Sequence, residues 1–416
     1  MIKALKLTNW KSFGEATLYV DPLTILIGTN ASGKSNILDA LIFLRNIARG
    51  EALSSVFTGD GSIGNGVRGG TEWAIRKGEK RARLDIHLTH FEDDKTEYHY
   101  GIELEMIDDT RIEIVSEQLS RVRLHKTTGK AYERRLFYTD ETDREQPSIA
   151  VRFATNKQGP HKRLDLRRSY SILSQARTIP LTDEVEEGIE ELLHTLSAIF
   201  VFDPIPSLIR DYAKISDELQ SNGANMAGVL EALSIPSKTA TLQTLIRYLK
   251  RLPEKEIIDI WTEAVGRFKT DAMLYCKESW AGRSEVIVDA RGMSDGTLRL
   301  LAIMTALLTI PRNSLLVIEE IDNGMHPSRA GLLVDFLREI GTEGKIDIIC
   351  TTHNPALLDA FGNEMIPFIS LVYRDDATGN SDIKLLEDLN NLPRLMARGP
   401  VGKLVTEGTL EKALHQ

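Results

Sequence analysis

A glycine-bracketed run from Gly28 to Ser35 has the residue types needed to bind phosphate. It reads GTNASGKS, in which two glycines bracket four residues and a lysine and a hydroxyl follow. Glycines let the backbone curl so that its N–H groups face anionic oxygens at the start of a helix. Lys34 would reach the outer phosphates of a nucleotide, and the Ser35 hydroxyl would bind Mg²⁺. The run predicts a phosphate-binding loop; the alternative is a glycine-rich turn without function.

The segments on either side of this run agree with that prediction. Leu23 to Ile27 is an apolar run of strand type, and residues 36–45 carry apolar side chains at helical spacing. A strand before the loop and a helix after it would place the loop at a helix N-terminus, where an anion is favoured.

Polar residues also follow two later apolar runs. The run 313–318 ends in Glu319 and Glu320, and the run 346–350 leads to His353. Between the first loop and these runs, Ser294-Asp295-Gly296 opens a predicted helix that continues to Leu308. Without the phosphate loop, the two glutamates could be surface charges, the histidine structural and Ser294 a simple helix cap. Beside a phosphate loop, carboxylates are suited to metal binding and to activation of water.

In this order the elements resemble the ATP-binding-cassette (ABC) ATPases of the RecF, SMC and OLD-like type. The similarity is greatest to stand-alone bacterial ATPases of the AAA_21 and AAA_15 type and covers nearly the whole chain. The runs that carry it are NWKSF from Asn9, GTNASGKSN from Gly28, NGANMAGVLEAL from Asn222 and IEEIDNGMHP from Ile318. The resemblance implies an α/β fold, namely an ABC-ATPase P-loop head with an antiparallel β lobe and a helical insertion.

The resemblance also implies ATP and Mg²⁺ as cofactors and assigns roles to single residues. Glu319 would hold Mg²⁺ with Ser35, although the family more often has Asp there, and Glu320 would orient or deprotonate the attacking water. His353 would contact the γ-phosphate, and Lys34 would act on the same phosphoryl group. The loop residues implied to bind the nucleotide are Gly28, Asn30, Ser32, Gly33, Lys34, Ser35 and Asn36.

Other implied contacts lie outside the loop. Ser294 and Gly296 match the cassette signature, with Asp295 where Gly is commoner, and in the family this segment reaches the γ-phosphate bound by a second subunit. ATP would then join two chains, with Asp322 near their interface. Lys11 matches a basic residue that approaches the phosphates, with a solvated loop lysine as the alternative. Gln175 is the candidate for a glutamine that senses Mg²⁺ and water.

The chain order suggests three parts. Residues 1–181 would form the N-terminal part of the head, including an antiparallel lobe in the alternating segment from Arg81 to Phe153. Residues 182–282 would form a helical insertion, and residues 283–416 would complete the head. The glycine-rich stretch 59–70 is expected to be a surface loop.

Composition limits the cellular setting. The chain has 416 residues, two cysteines without a CxxC pair, and a net charge of −9. These features, with no signal-peptide pattern and no long apolar segment, predict a cytoplasmic protein without membrane contact. Residues 121–168 hold 13 Lys/Arg against 6 Asp/Glu, so this segment could bind nucleic acid or an acidic partner, or be a solvated face.

Three functional classes remain open from the sequence. The favoured one is an ATP-gated homodimer or higher homo-oligomer that controls a separately encoded nuclease or toxin, most plausibly in antiviral defence. OLD-like nucleases carry a Toprim domain after the cassette, and the 63 residues that follow His353 are too few for one, so we expect no nuclease activity from this chain alone. The alternatives are a RecF-like DNA-repair ATPase and, with less support, the ATP-binding subunit of a transporter.

Overall fold

The computed structural model describes residues 1–59, 66–93, 95–108, 111–124, 131–141, 146–155, 161–252, 257–279 and 285–414. Its strands are β1 (Ile2–Thr8), β2 (Glu15–Tyr19), β3 (Leu23–Ile27), β4 (Arg81–Thr89), β5 (Thr96–Asp108), β6 (Arg111–Leu124), β7 (Ala131–Thr139), β8 (Ser148–Phe153), β9 (Lys162–Arg167), β10 (Ile199–Phe202), β11 (Ala213–Lys214), β12 (Ile257–Val265), β13 (Asp271–Glu278), β14 (Val286–Asp289), β15 (Leu315–Ile318), β16 (Asp347–Thr351), β17 (Ile369–Arg374) and β18 (Ser381–Leu385). Its α-helices are α1 (Lys34–Ala48), α2 (Leu53–Thr58), α3 (Ile172–Ala176), α4 (Asp183–Ser197), α5 (Pro206–Ile209), α6 (Met226–Ala232), α7 (Ile235–Leu249), α8 (Asp295–Thr309), α9 (Ala330–Gly344), α10 (Pro355–Phe361), α11 (Leu392–Met396), α12 (Val401–Thr406) and α13 (Thr409–Leu414). Within these described ranges, no helix is both long and apolar enough to cross a bilayer.

A six-stranded sheet positions the site. Its strand order is β10-β15-β16-β3-β17-β18, and every pair except β17–β18 is parallel. The register aligns Phe202 with Ile318, Ile318 with Cys350, and Cys350 with Ile25. Because parallel neighbours end at one edge, the loops after β10, β15, β16 and β3 lie side by side there, where ligands bind in such sheets.

Alternation along these strands divides the hydrophobic core into two layers. Ile25 and Ile27 pack on one face with α8 and α9, whereas Leu26 packs on the other face with α1 and the antiparallel lobe. This follows from the two-residue period of a strand, which sends successive side chains to opposite faces. The parallel strands are therefore buried on both sides, as their unbroken apolar sequences predict.

The antiparallel lobe is larger than the sequence predicted. It contains eight strands in the order β2-β1-β4-β5-β6-β7-β8-β9, all paired antiparallel. The first hairpin of the chain joins this sheet through β1 and β4. Since β3 follows directly, the lobe is tied to the strand that precedes the phosphate loop.

The segment 182–282 is not the helical insertion that was expected. Helix α4 packs against α1 and β7, and β10 is the predicted buried strand, now placed at the edge of the six-stranded sheet. Residues 206–219 contain only the short helix α5 and the two-residue strand β11, rather than a long helix. Strands β11, β12, β13 and β14 form a small antiparallel sheet covered by α6 and α7. The insertion is thus a mixed α/β unit that extends beyond residue 282 to β14.

Candidate functional site

The backbone of the loop after β3 requires glycine at both ends. Gly28 has φ +152° and Gly33 has φ +119°, values that residues with a side chain rarely adopt. A Cβ on Gly28 would lie 2.0 Å from the carbonyl oxygen of Val372, and one on Gly33 would lie 2.6 Å from Ser381 Oγ. The β17–β18 hairpin therefore packs closely against the loop. Ser32 Oγ is buried and has no hydrogen-bond partner among the described residues, as expected of a group that contacts a ligand.

Lys34, the first residue of α1, curls back over this loop. Its Nζ donates to the carbonyl oxygens of Gly28 at 2.7 Å and Thr29 at 2.9 Å. Burial lowers its pKa to about 8, and the nearby carboxylates of Glu320 and Glu319 oppose that change. A partly buried amine at the N-terminus of a helix is a suitable partner for a polyphosphate.

Ser35 and Glu319 meet across the sheet edge. Ser35 Oγ donates to Glu319 Oε1 at 2.5 Å, although 284 positions separate the two residues. A hydroxyl and a carboxylate are the hard oxygen donors that Mg²⁺ takes when substrate phosphates complete its shell, so these two residues fit that ion. Among the described residues, no group of three or more His, Cys, Asp or Glu could hold a metal by itself.

Glu320 has a strained backbone. Its φ is +47°, a left-handed conformation that bulky side chains seldom adopt. Its N–H donates to Thr351 Oγ1 at 2.7 Å, and Asn323 Nδ2 donates to its Oε2 at 3.3 Å. Such strain persists where surrounding contacts enforce it, and it often marks functional positions. The turn separates the two glutamates, so that Glu319 faces Ser35 while Glu320 is exposed.

His353 follows β16 at the same edge. Burial lowers its pKa, the charge of Lys34 acts in the same direction, and Glu320 and Asp322 oppose them. The imidazole is therefore neutral at pH 7 and can donate one hydrogen bond to an anionic oxygen. The preceding residue fixes the turn, because Thr352 Oγ1 donates to Asp322 Oδ1 at 2.5 Å and accepts from the Asn354 N–H at 3.0 Å.

The predicted signature caps α8. Ser294 Oγ accepts from the Thr297 N–H at 3.2 Å, so the helix-cap role holds, and Ser294 is exposed. A Cβ on Gly296 would lie 2.7 Å from the carbonyl oxygen of Gly324, so only glycine allows α8 to approach the turn after Glu320 this closely. Asp295 forms an ion pair with Arg210.

A protein-family model matches most of the chain, including the residues described above. It matches residues 23–359 and is described as "AAA domain, putative AbiEii toxin, Type IV TA system". The chain belongs to this AAA_21 family. The match spans the phosphate loop, the signature, both glutamates and His353. Membership confirms the resemblance to an ATP-binding ATPase of the RecF/SMC-like class.

Three SMC heads are among the solved structures similar to this AAA_21 protein, and the match with a TM-score of 0.50 shows the same fold. An SMC head bound to the C-terminal winged-helix domain of ScpA matches with a TM-score of 0.50 and 16% identity, over 92% of this chain and 97% of that one. The SMC head of Thermotoga maritima has a TM-score of 0.45 at 13% identity, over 92% and 98% of the two chains. An SMC head derived from Pyrococcus furiosus has 0.46 at 13%, over 92% and 95%. No curated protein matches the sequence.

Two predicted site residues have other contacts in this AAA_21 chain. Lys11 is no solvated lysine, because its side chain is 7% exposed and its Nζ lies 2.5 Å from Asp39 Oδ2. The side chain of Gln175 is hydrogen-bonded near the end of the antiparallel lobe. Its Nε2 donates to the carbonyl oxygens of Arg167 and Tyr170, and its Oε1 accepts from the Arg167 N–H. The role of a magnesium-sensing glutamine stays a prediction for Gln175, whose side-chain amide is hydrogen-bonded near the end of β9.

Of the two asparagines in the loop, one is exposed to solvent and the other is hydrogen-bonded to the first hairpin. Asn30 is exposed at the tip of the loop. Asn36 is tied to the hairpin, because its Nδ2 donates to Ser12 Oγ at 2.7 Å and its carbonyl oxygen accepts from Trp10 Nε1 at 2.9 Å. The NWKSF run thus supports the start of α1 from behind.

Sequence analysis missed two arginines at the site. Arg299 of α8 is 4% exposed and donates to the carbonyl oxygens of Glu319 at 3.0 Å and Glu320 at 3.1 Å. It also bonds Pro204 O at 2.7 Å and Asp203 Oδ1 at 3.2 Å, which joins the end of β10 to the same turn. Arg68 lies in the glycine-rich stretch and reaches Glu319. Neither arginine belongs to a motif, so only their contacts reveal them.

A pocket of about 390 Å³ opens beside the loop. Asn36 lines it at one end, and Trp73, Arg76 and Lys77 line its wall. Trp73 is 53% exposed, with Lys77 Nζ 4.2 Å from the ring centroid. Arg374 also lines the pocket, and its Nε donates to the Ala31 carbonyl oxygen of the loop. The pocket is thus continuous with the phosphate loop.

Proposed function

We propose that this chain is a Mg²⁺-dependent, ATP-hydrolysing switch that pairs head-to-head around ATP and controls a separate effector. One observation carries the hydrolytic part: Lys34, Ser35, Glu319, Glu320 and His353 converge on one edge of the parallel sheet. Phosphoryl transfer to water needs charge stabilisation and a positioned water more than covalent chemistry. These side chains offer both.

Each residue has a distinct task in this proposal. Lys34 would exchange its two backbone acceptors for phosphate oxygens. Ser35 and Glu319 would hold Mg²⁺, and that ion would supply positive charge to the phosphoryl oxygens. Glu320, exposed and turned away from Ser35, accepts a proton from the attacking water or orients it. Neutral His353 donates to the terminal phosphate.

The nucleoside part of ATP would occupy the pocket beside Asn36. Trp73 offers an aromatic face for the base, and base–aromatic stacking contributes about 1–3 kcal/mol in other proteins. Lys11, Arg76 and Arg374 supply positive charge between the pocket and the loop. Residues from both the first hairpin and the β17–β18 hairpin therefore take part in binding.

Pairing of two chains is proposed from the signature. Ser294 is exposed at the start of the long helix α8, and Gly296 contacts the turn that follows Glu320. A helix N-terminus favours an anion, so the γ-phosphate bound by a partner copy is a suitable ligand. ATP would complete two composite sites in a homodimer.

Control of an effector in antiviral defence is proposed from the family description, which names toxin–antitoxin systems. A switch of this kind passes its ATP state to a partner, and the mixed α/β unit before α8 is the docking surface that we favour. Pull-down from the native host in ATP should recover a separately encoded nuclease or toxin. Recovery of a membrane permease or of DNA alone would favour the other classes.

A RecF-like role in DNA repair has weaker support. Several arginines of the basic segment are paired inside the chain: Arg121 and Arg134 both bond Glu184, and Arg152 lies 2.7 Å from Asp140. Neutralised arginines add little to phosphate binding. Nucleic-acid binding remains a prediction that salt-dependent binding assays would test.

The basic experiment is a phosphate-release assay with Mg²⁺. Wild type should turn over ATP, Lys34→Ala should not bind it, and Glu320→Gln should bind ATP but hydrolyse it at least about a hundredfold more slowly. Full turnover by Glu320→Gln would remove that residue from the mechanism.

A further inference from the structure

Arg68 is part of a charge network at the proposed metal site. Its NH1 lies 3.1 Å from Glu319 Oε2 and 3.3 Å from Oε1, and its NH2 donates to the Ser35 carbonyl oxygen at 2.9 Å. The third edge of the guanidinium is also used, because Nε donates to Asp39 Oδ1 at 2.9 Å. Each of the three guanidinium nitrogens therefore has a hydrogen-bond acceptor.

Asp39 anchors the network from inside α1. Its side chain is 1% exposed, and its two oxygens are divided between Arg68 and Lys11. Lys11 in turn donates to the carbonyl oxygen of Arg68 at 2.6 Å, which fixes the backbone of the stretch that carries the arginine. The Arg68 side chain is 48% exposed, so its outer end can move while the Asp39 contact remains.

The same contacts engage the two groups that would bind Mg²⁺. Both carboxylate oxygens of Glu319 face Arg68, and Oε1 also accepts the Ser35 hydroxyl. An arginine beside a carboxylate supplies the positive charge that a metal ion would otherwise supply. Arg68 and a divalent cation therefore require the same oxygens.

We propose that Arg68 is a built-in counter-ion that occupies Glu319, and so keeps a divalent cation from binding there, until nucleotide is bound. Arg68 releases Glu319 when phosphate oxygens help to complete the shell of the ion, and metal loading is thereby made conditional on nucleotide. The adjoining Gly69 and Gly70 have φ values of +80° and +63°, so the backbone next to Arg68 can turn when the side chain leaves Glu319. This inference rests on the metal role given above to Ser35 and Glu319.

The test measures Mn²⁺ binding by electron paramagnetic resonance without nucleotide. Arg68→Gln should bind Mn²⁺ about tenfold more tightly than wild type, because it removes a charge-assisted bond that the ion must otherwise break. Arg68→Lys keeps the charge but loses the forked geometry of the guanidinium, so its Mn²⁺ affinity should fall between those of wild type and Arg68→Gln. Arg177→Gln is the matched control, since Arg177 is 68% exposed and pairs with Glu190 instead.

Two outcomes would overturn the inference in distinguishable ways. Equal nucleotide-free Mn²⁺ affinity in wild type and Arg68→Gln, with ATP-dependent Mn²⁺ binding that is lost in Glu319→Gln, would refute only the counter-ion role. Mn²⁺ binding that ignores both ATP and Glu319→Gln would refute the metal site itself and the inference with it. If the gain in Arg68→Gln disappears when Glu319→Gln is added, the inference is supported.

Discussion

Substitution of Arg299 by methionine should weaken both the fold and the site. The guanidinium is 4% exposed and donates to four acceptors: the carbonyl oxygens of Pro204, Glu319 and Glu320, and Asp203 Oδ1. Methionine keeps most of the buried length of the side chain but donates no hydrogen bond, so the change isolates the polar contacts.

The magnitude follows from those contacts. Each buried acceptor left without a donor costs about 1–3 kcal/mol. Two terms reduce this loss: within the described part of the chain Arg299 Nε is buried with no hydrogen-bond partner, and removing the charge recovers the cost of burying it. Asp203 is 56% exposed and will be satisfied by water. The net loss expected for Arg299→Met is about 2–4 kcal/mol in the free energy of unfolding.

Urea unfolding followed by circular dichroism measures this loss, and a phosphate-release assay follows activity. Arg247→Met is the matched control, because Arg247 is 58% exposed and pairs with Glu339 on the surface, so we expect a loss below about 1 kcal/mol. ATP hydrolysis should fall in Arg299→Met more than ATP binding does, since the turn that places Glu320 loses its support. Equal unfolding midpoints for the two variants, with normal turnover in both, would refute the account of Arg299.

Three further predictions concern binding, pH and pairing. Lys34→Met should bind no ATP, yet it should resist urea better than wild type at pH 7, because burial lowers the pKa of Lys34 from 10.5 to about 8. Between pH 8 and 10.5 the lysine of wild type is neutral in the folded state but still charged in the unfolded state, so wild type gains stability and the advantage of Lys34→Met should shrink. Trp73→Ala should weaken binding of a fluorescent ATP analogue about tenfold, with Trp73→Phe near wild type, and unchanged affinity in Trp73→Ala would exclude stacking. Ser294→Arg and Glu320→Gln chains, each inactive alone, should regain part of the ATPase rate when mixed, because one composite site of the mixed pair is intact; no recovery would argue against shared sites.

The residues of the phosphate loop could be predicted because their chemistry is local. Gly28, Gly33, Lys34 and Ser35 lie within one turn whose spacing alone defines the backbone path. Glu319 and His353 could be predicted because each follows an apolar strand, and parallel strands end at one edge. The spacing of residue types therefore located the phosphate loop, and the apolar runs located the strands that carry the other residues.

Other features depend on contacts between distant positions, which periodicity does not record. Arg68 and Glu319 are 251 positions apart, and nothing in GVRGG indicates a partner. The charge excess of residues 121–168 suggested a binding face, but Arg121 and Arg134 share an ion pair with Glu184 of α4, which only the folded chain brings together.

The small sheet was missed for a different reason. Strands β12 and β13 follow helices α6 and α7 within residues 182–282, so their apolar residues were included in the predicted helical insertion. Gln175 was chosen from its position before that segment, and its hydrogen bonds to the end of β9 became visible only in the structure.

The central claim is that ATP joins two chains, and the mass of Glu320→Gln in solution tests it most directly. This variant should bind ATP and retain it, so analytical ultracentrifugation should show one chain of 46.5 kDa without ATP and about twice that mass with ATP and Mg²⁺. Adding Ser294→Arg to the same chain should abolish the shift without loss of ATP binding. A mass that does not change with ATP while ATP is bound, or a shift that persists in the double variant, would contradict the account.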